Sequence, residues 1–189
     1  MQAILNSSDF GGNNRLLIMR KKTRMISLSA LFTALTVTTI YFASIWPTGQ
    51  IGLAAVASLF TAAAVIETGL FSGISVYTAS SVLCLTLIPN RTVAIIYICF
   101  FGYYPVVKSL VERLKGTVLQ WVIKLFVFNS ALAAVWFFLR GLIFEFEGTQ
   151  HSALYIFVGG SIVFLVFDYG FTKVIMLYIN RVAKHTKRI

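Results

Sequence analysis

Seven ionisable residues stand towards one end of long apolar runs: Glu67, Lys108, Glu112, Arg113, Lys124, Asp168 and Lys173. A charge in hydrocarbon costs several kcal/mol unless it is paired or reaches water, so such groups tend to mark function. Glu67 or Asp168 could pair with Lys108, Lys124 or Lys173. The alternatives are an ion-pair network closed within the protein, with long side chains snorkelling to the interface, or groups that meet partner subunits.

A second set carries different chemistry. Tyr41, Trp46, Thr48, Gln50, Asn90, Arg91, Tyr97, Asn129, Trp136, Arg140, Glu145, Glu147, His151 and Tyr155 combine aromatic surface with hydrogen-bonding groups towards the opposite ends of the same runs. Ligand pockets are mostly apolar and aromatic with a few polar anchors, and Trp46, Asn129, Glu145, Glu147 and His151 are the candidate substrate-binding residues. Trp and Tyr also populate membrane interfaces for reasons of lipid contact alone. Asn129 is the deepest candidate, because an amide in an apolar helix must find a partner in protein, water or ligand.

Signatures of catalysis are missing. The chain has no HExxH, no GxSxG, no Gly-rich phosphate loop and no paired-Asp motif for metal-assisted phosphoryl chemistry. The two histidines, His151 and His185, stand far apart, and Cys84 and Cys99 lie inside apolar runs with no CxxC or Cys/His cluster. The sequence is read as a non-enzyme with no catalytic residues, no metal site and no cofactor.

The elements that must position these residues are six apolar runs, near 26–46, 51–70, 71–88, 93–110, 118–144 and 153–179. Each approaches or exceeds the roughly 20 residues that a spanning helix needs. Of the 189 residues, 58% are hydrophobic and only 12% charged, and the mean hydropathy is +0.85, outside the range of soluble domains. Backbone in hydrocarbon must satisfy itself, and these runs lack the alternation of barrel strands, so the expected fold is an all-α bundle of six transmembrane helices. Residues 1–24 are expected as a flexible basic tail, 25–182 as the membrane domain and 183–189 as a second basic tail. Pro105, after Gly102, is expected to kink the fourth span.

The net charge of +10 would suggest nucleic acid in a soluble chain, but its distribution points elsewhere. Of the 16 Lys and Arg residues, all but Arg91 and Arg140 fall before the first span, between or beside the fourth and fifth, or towards the end of the sixth and beyond. The positive-inside rule then predicts both termini in the cytoplasm of a multi-pass cell-membrane protein, with the basic ends against anionic headgroups and nucleic acid excluded as a partner.

The first span carries Ala30, Ala34 and Thr38 at intervals of four, a small-residue face that lets another helix approach closely; internal packing would use the same pattern. A chain of this length with six spans, both termini inside, a basic leading segment and AxxxA early in the first helix (Ala30-Leu-Phe-Thr-Ala34) resembles the substrate-binding S component of energy-coupling factor transporters. The segment FGYYPVVKSLVERL, residues 101–114, is similar to a bacterial branch of that family. The resemblance implies capture of a vitamin-like solute from outside, with release driven by a transmembrane coupling subunit and two cytoplasmic ATPases, and docking of that coupling subunit on Ala30 and Ala34. It agrees with the lack of a GxxxxGK[ST] sequence. A membrane scaffold or assembly protein, and a small membrane enzyme, are the readings from other classes.

Overall fold

The computed structural model describes residues 2–46, 48–143 and 151–183, with side chains described over 18–46, 48–137, 155 and 157–181. The described elements are helical throughout: α1 (Gln2–Ile45), α2 (Gln50–Thr68), α3 (Leu70–Leu87), α4 (Arg91–Ile96), a π-helical stretch (Tyr97–Gly102), α5 (Tyr104–Val111), α6 (Thr117–Ile143), α7 (His151–Tyr178) and a second π-helical stretch (Ile179–Ala183). Six segments are long and apolar enough to cross a membrane: Ile18–Ile45, Gln50–Thr68, Leu70–Leu87, Arg91–Val111, Thr117–Phe137 and Phe157–Arg181. They match the six predicted runs within four residues except at the start of the first, where the apolar helix reaches back to Ile18, and at the end of the fifth, where the described span closes at Phe137 while helix α6 continues to Ile143. The helical backbone of α1 itself continues to Gln2, through the segment read from sequence as a tail.

The surface of the bundle has the polarity of its surroundings. Phe71, Val118 and Phe137 are 82%, 78% and 78% exposed, and they belong to a long series of outward-facing Val, Leu, Ile and Phe residues. Water would not tolerate contiguous apolar surface on this scale, whereas lipid is its natural solvent.

Inside, α2 is the central helix. Its buried positions are nearly all small, Ala54, Ala57, Ser58, Thr61, Ala62, Ala63 and Ala64, so neighbours approach its backbone closely where hydrophobic exclusion gives little help. The α2–α3 turn is a single residue, Gly69, whose φ of +99° favours glycine. Two core clusters lie along the bundle. One joins Ile40 and Ala43 of α1, Ala54 and Ala57 of α2, Cys84 of α3, and Val93, Ala94 and Tyr97. The other gathers Ala62, Tyr104, Phe164 and Phe171, and a stacked pair, Phe128 and Phe164 with ring centroids 4.5 Å apart, joins α6 to α7.

Hydroxyls within the spans are turned back on their own helices. Thr33, Thr36 and Thr68 donate to the carbonyls four residues earlier at 2.8, 2.8 and 2.7 Å, which satisfies them without water. The expected disruption at Pro105 is resolved in a particular way. The π-helical stretch ends at Gly102, the helix restarts at Tyr104, and Pro105 occupies the first turn of α5, where its missing N–H leaves no hydrogen bond unmade.

Candidate functional site

The residues of α5 come from a short helix whose first turn is set by Pro105. Tyr104, Lys108 and Glu112 succeed one another at intervals of four and therefore share a face. On α7, Asp168 and Thr172 have the same spacing, and α6 contributes Lys124. These six residues converge. Lys108 Nζ lies 2.6 Å from Asp168 Oδ1 and 2.7 Å from Glu112 Oε1, and donates to Thr172 Oγ1 at 2.8 Å. Lys124 Nζ lies 3.1 Å from Glu112 Oε1 and 3.2 Å from Asp168 Oδ2. The Tyr104 hydroxyl donates to Asp168 Oδ1 as well.

Two cations and two carboxylates balance formally, and burial makes that balance necessary. Lys108, Lys124 and Asp168 are 2%, 5% and 2% exposed. Their walls are aromatic: the Tyr104 ring meets Phe164, Phe167 and Phe171 at centroid distances of 5.3, 5.6 and 5.7 Å, and Lys124 lies 5.6 Å from the centroid of Trp121. In such surroundings an unpaired charge is costly, and shared hydrogen bonds keep each charge compensated. Glu112, whose side chain is 42% exposed, links the cluster to the outside. Chemically, this is a closed ion network clamping α5, α6 and α7 together, and it contains no nucleophile paired with a base.

Of the two readings weighed for these charges, the internal pairing is what the geometry contains for Asp168, Lys108 and Lys124. Glu67 takes a different partner, accepting from the Tyr178 hydroxyl at 3.3 Å, and Lys173 lies 5.4 Å from the centroid of the Tyr169 ring. Tyr104 and Thr172 were not singled out from sequence. Their signal was the spacing of four from Lys108 and Asp168 respectively, which becomes visible only once the two helices are known to face each other.

The candidates of the opposite ends are placed as follows. Trp46, one residue beyond α1, is 68% exposed. Asn129 donates to its own helix at Leu125 O, 2.9 Å, and its amide pairs with Ser161 of α7, with contacts of 3.3 and 3.4 Å. The amide therefore has a protein partner, the first of the three that the sequence left open. Glu145 and Glu147 lie outside the described residues, as does the side chain of His151, the first residue of α7. Asn90 caps α4 by accepting from Thr92 N at 3.1 Å. Tyr97, fully buried, reaches Ser80 Oγ at 2.9 Å and Thr61 Oγ1 at 3.4 Å, tying α2, α3 and the π-helical stretch together.

Ala30, Ala34 and Thr38 are exposed on α1, whereas Thr33, Thr36, Ile40 and Ala43 are buried. The small-residue strip thus faces away from the bundle. Among the described residues no three of His, Cys, Asp or Glu gather as a metal site would require.

No family model, curated protein or solved structure matches the chain.

Proposed function

We propose that the chain is the solute-binding membrane subunit of an energy-coupling factor type uptake system, docking through α1 onto a separate transmembrane coupling subunit powered by ATPases on the cytoplasmic side. The observation that carries this reading is the outward orientation of Ala30, Ala34 and Thr38. Small side chains on a lipid-facing surface gain nothing from lipid, but they allow a second helix to approach to backbone distance. In this reading both termini and the α5–α6 connection are cytoplasmic, as the basic residues argue. Solute enters from the other side, where Trp46, Asn129, Glu145, Glu147 and His151 are the candidate contacts.

The test is co-purification. Ala30→Trp with Ala34→Trp should abolish recovery of a coupling subunit and its ATPases while leaving the monomer folded. Undiminished complex formation in that variant overturns the proposal. A membrane scaffold is the second reading, favoured by the closure of the inner network: among the described residues, every buried side-chain nitrogen and oxygen has a partner.

A further inference from the structure

A cavity of about 230 Å³ lies between α1, α2 and α7, away from the ion network and independent of the transport reading. Ala62 and Ala63 of α2 form its buried floor, and Leu35 of α1 and Val174 of α7, 39% and 42% exposed, stand at its open rim. Phe32 and Tyr178 stand in its walls; apart from the Tyr178 hydroxyl, the lining carries no polar side chain. Alanine on the floor and larger residues at the sides make a slot that opens towards lipid.

The helices that flank the slot run on into basic residues. At about 100° per residue, Lys21, Arg24 and Leu28 fall on the same side of α1 as Phe32 and Leu35. Arg181 follows Tyr178 within one turn, and Lys21, Arg24 and Arg181 are all exposed. Because an odd-numbered and an even-numbered span run antiparallel, these residues collect at one end of the slot. The acid at this mouth, Glu67, is engaged by the Tyr178 hydroxyl, and three cations against one carboxylate leave the mouth positive. From Leu35 to Arg24 the helix rises about 16 Å, close to the ~15 Å half-thickness of the hydrocarbon core. One acyl chain can therefore lie in the slot while its phosphate stands level with Arg24.

We infer that this slot binds one anionic phospholipid, with an acyl chain over Ala62 and Ala63 and its phosphate held by Arg24 and Arg181, assisted by Lys21. Hydrocarbon fills the apolar slot, and the net positive mouth selects a headgroup of net negative charge over a zwitterionic one.

The full chain, reconstituted into vesicles of equimolar phosphatidylglycerol, phosphatidylethanolamine and phosphatidylcholine and extracted in mild detergent, would be examined by native mass spectrometry. Phosphatidylglycerol should dominate, at one molecule per chain. Arg24→Gln with Arg181→Gln, both surface changes, should lower its retention about tenfold or more relative to phosphatidylcholine. Ala63→Leu should lower retention of all three lipids. Equal retention of the three by the unaltered chain, preference for phosphatidylethanolamine, or undiminished phosphatidylglycerol in the double Arg variant would each overturn the assignment. If Ala63→Leu does not fold, the double Arg variant decides alone.

Discussion

Lys108 Nζ stands 2.6 Å from Asp168 Oδ1, with a sequence separation of 60 residues between them. Both are almost completely buried, so the contact joins α5 to α7 through charges that neither helix could carry alone. Asp168 also meets Lys124 and Tyr104, which makes it the hub on which the cluster depends.

Asp168→Asn should therefore destabilise the bundle by about 3–5 kcal/mol, the usual consequence of leaving buried charge uncompensated. Asp168→Asn combined with Lys108→Met removes opposite charges together and should recover much of that loss. Denaturant titration in detergent measures the cycle, and simple additivity of the single changes would contradict the coupling.

Tyr97→Phe removes a hydroxyl shared with Ser80 and Thr61. Ser80 keeps its bond to Tyr77 O, but the fully buried Thr61 hydroxyl loses its contact with Tyr97, so the expected cost is about 1–3 kcal/mol. A loss several times larger in the same titration would mean that this hydroxyl supports more than the two side chains it touches.

At Gly102 an added Cβ would stand 2.8 Å from the Tyr77 ring and 3.0 Å from Tyr97 Cζ. Gly102→Ala should destabilise by about 1–3 kcal/mol as an overpacked site. The same substitution in a Tyr77→Ala background should cost less, the contact with Tyr97 remaining, and an equal cost in both backgrounds would place the strain elsewhere.

The structural role of Asn129 and its proposed role in solute binding can be tested separately. Its bonds to Leu125 and Ser161 are internal, so Asn129→Leu should lower stability by only about 0.6 kcal/mol. If the amide also anchors solute, calorimetric affinity should fall by roughly 1–3 kcal/mol. Unchanged affinity removes Asn129 from the solute site.

Orientation can be tested by labelling engineered cysteines in intact cells with an impermeant reagent. Lys187→Cys should be protected and Thr149→Cys labelled, as the basic residues imply. The reverse pattern would invert the protein in the membrane.

The helices were legible because hydrocarbon leaves the backbone few options, so apolar length alone nearly determines each element. Gln50–Thr68 and Leu70–Leu87 depart from their predicted bounds by one or two residues. The pairing of Asp168 with Lys108 and Lys124 was among the options, but it could not be chosen without knowing which faces of α5, α6 and α7 meet. Tyr97 was less legible: a tyrosine in a span could serve an interface, a pocket or the core, and the register of α2 against α3 places it in the core. Pro105 announced a break in the fourth span but not its form, because proline removes a donor without dictating how the preceding turn is wound.

That winding matters to what lies beyond it. A π-helical turn accommodates one residue more than the α-helical turn it replaces, so the stretch Tyr97–Gly102 sets the azimuth of everything that follows in the fourth crossing. Winding all of its residues as ordinary α-helix would swing the Tyr104, Lys108 and Glu112 face by about 100°, carrying the ammonium away from Asp168, whereas deleting one residue as the winding reverts would leave that face in place. Hydropathy would hardly register the difference between the two windings, yet the α-wound form of the same residues would strand both charges at once.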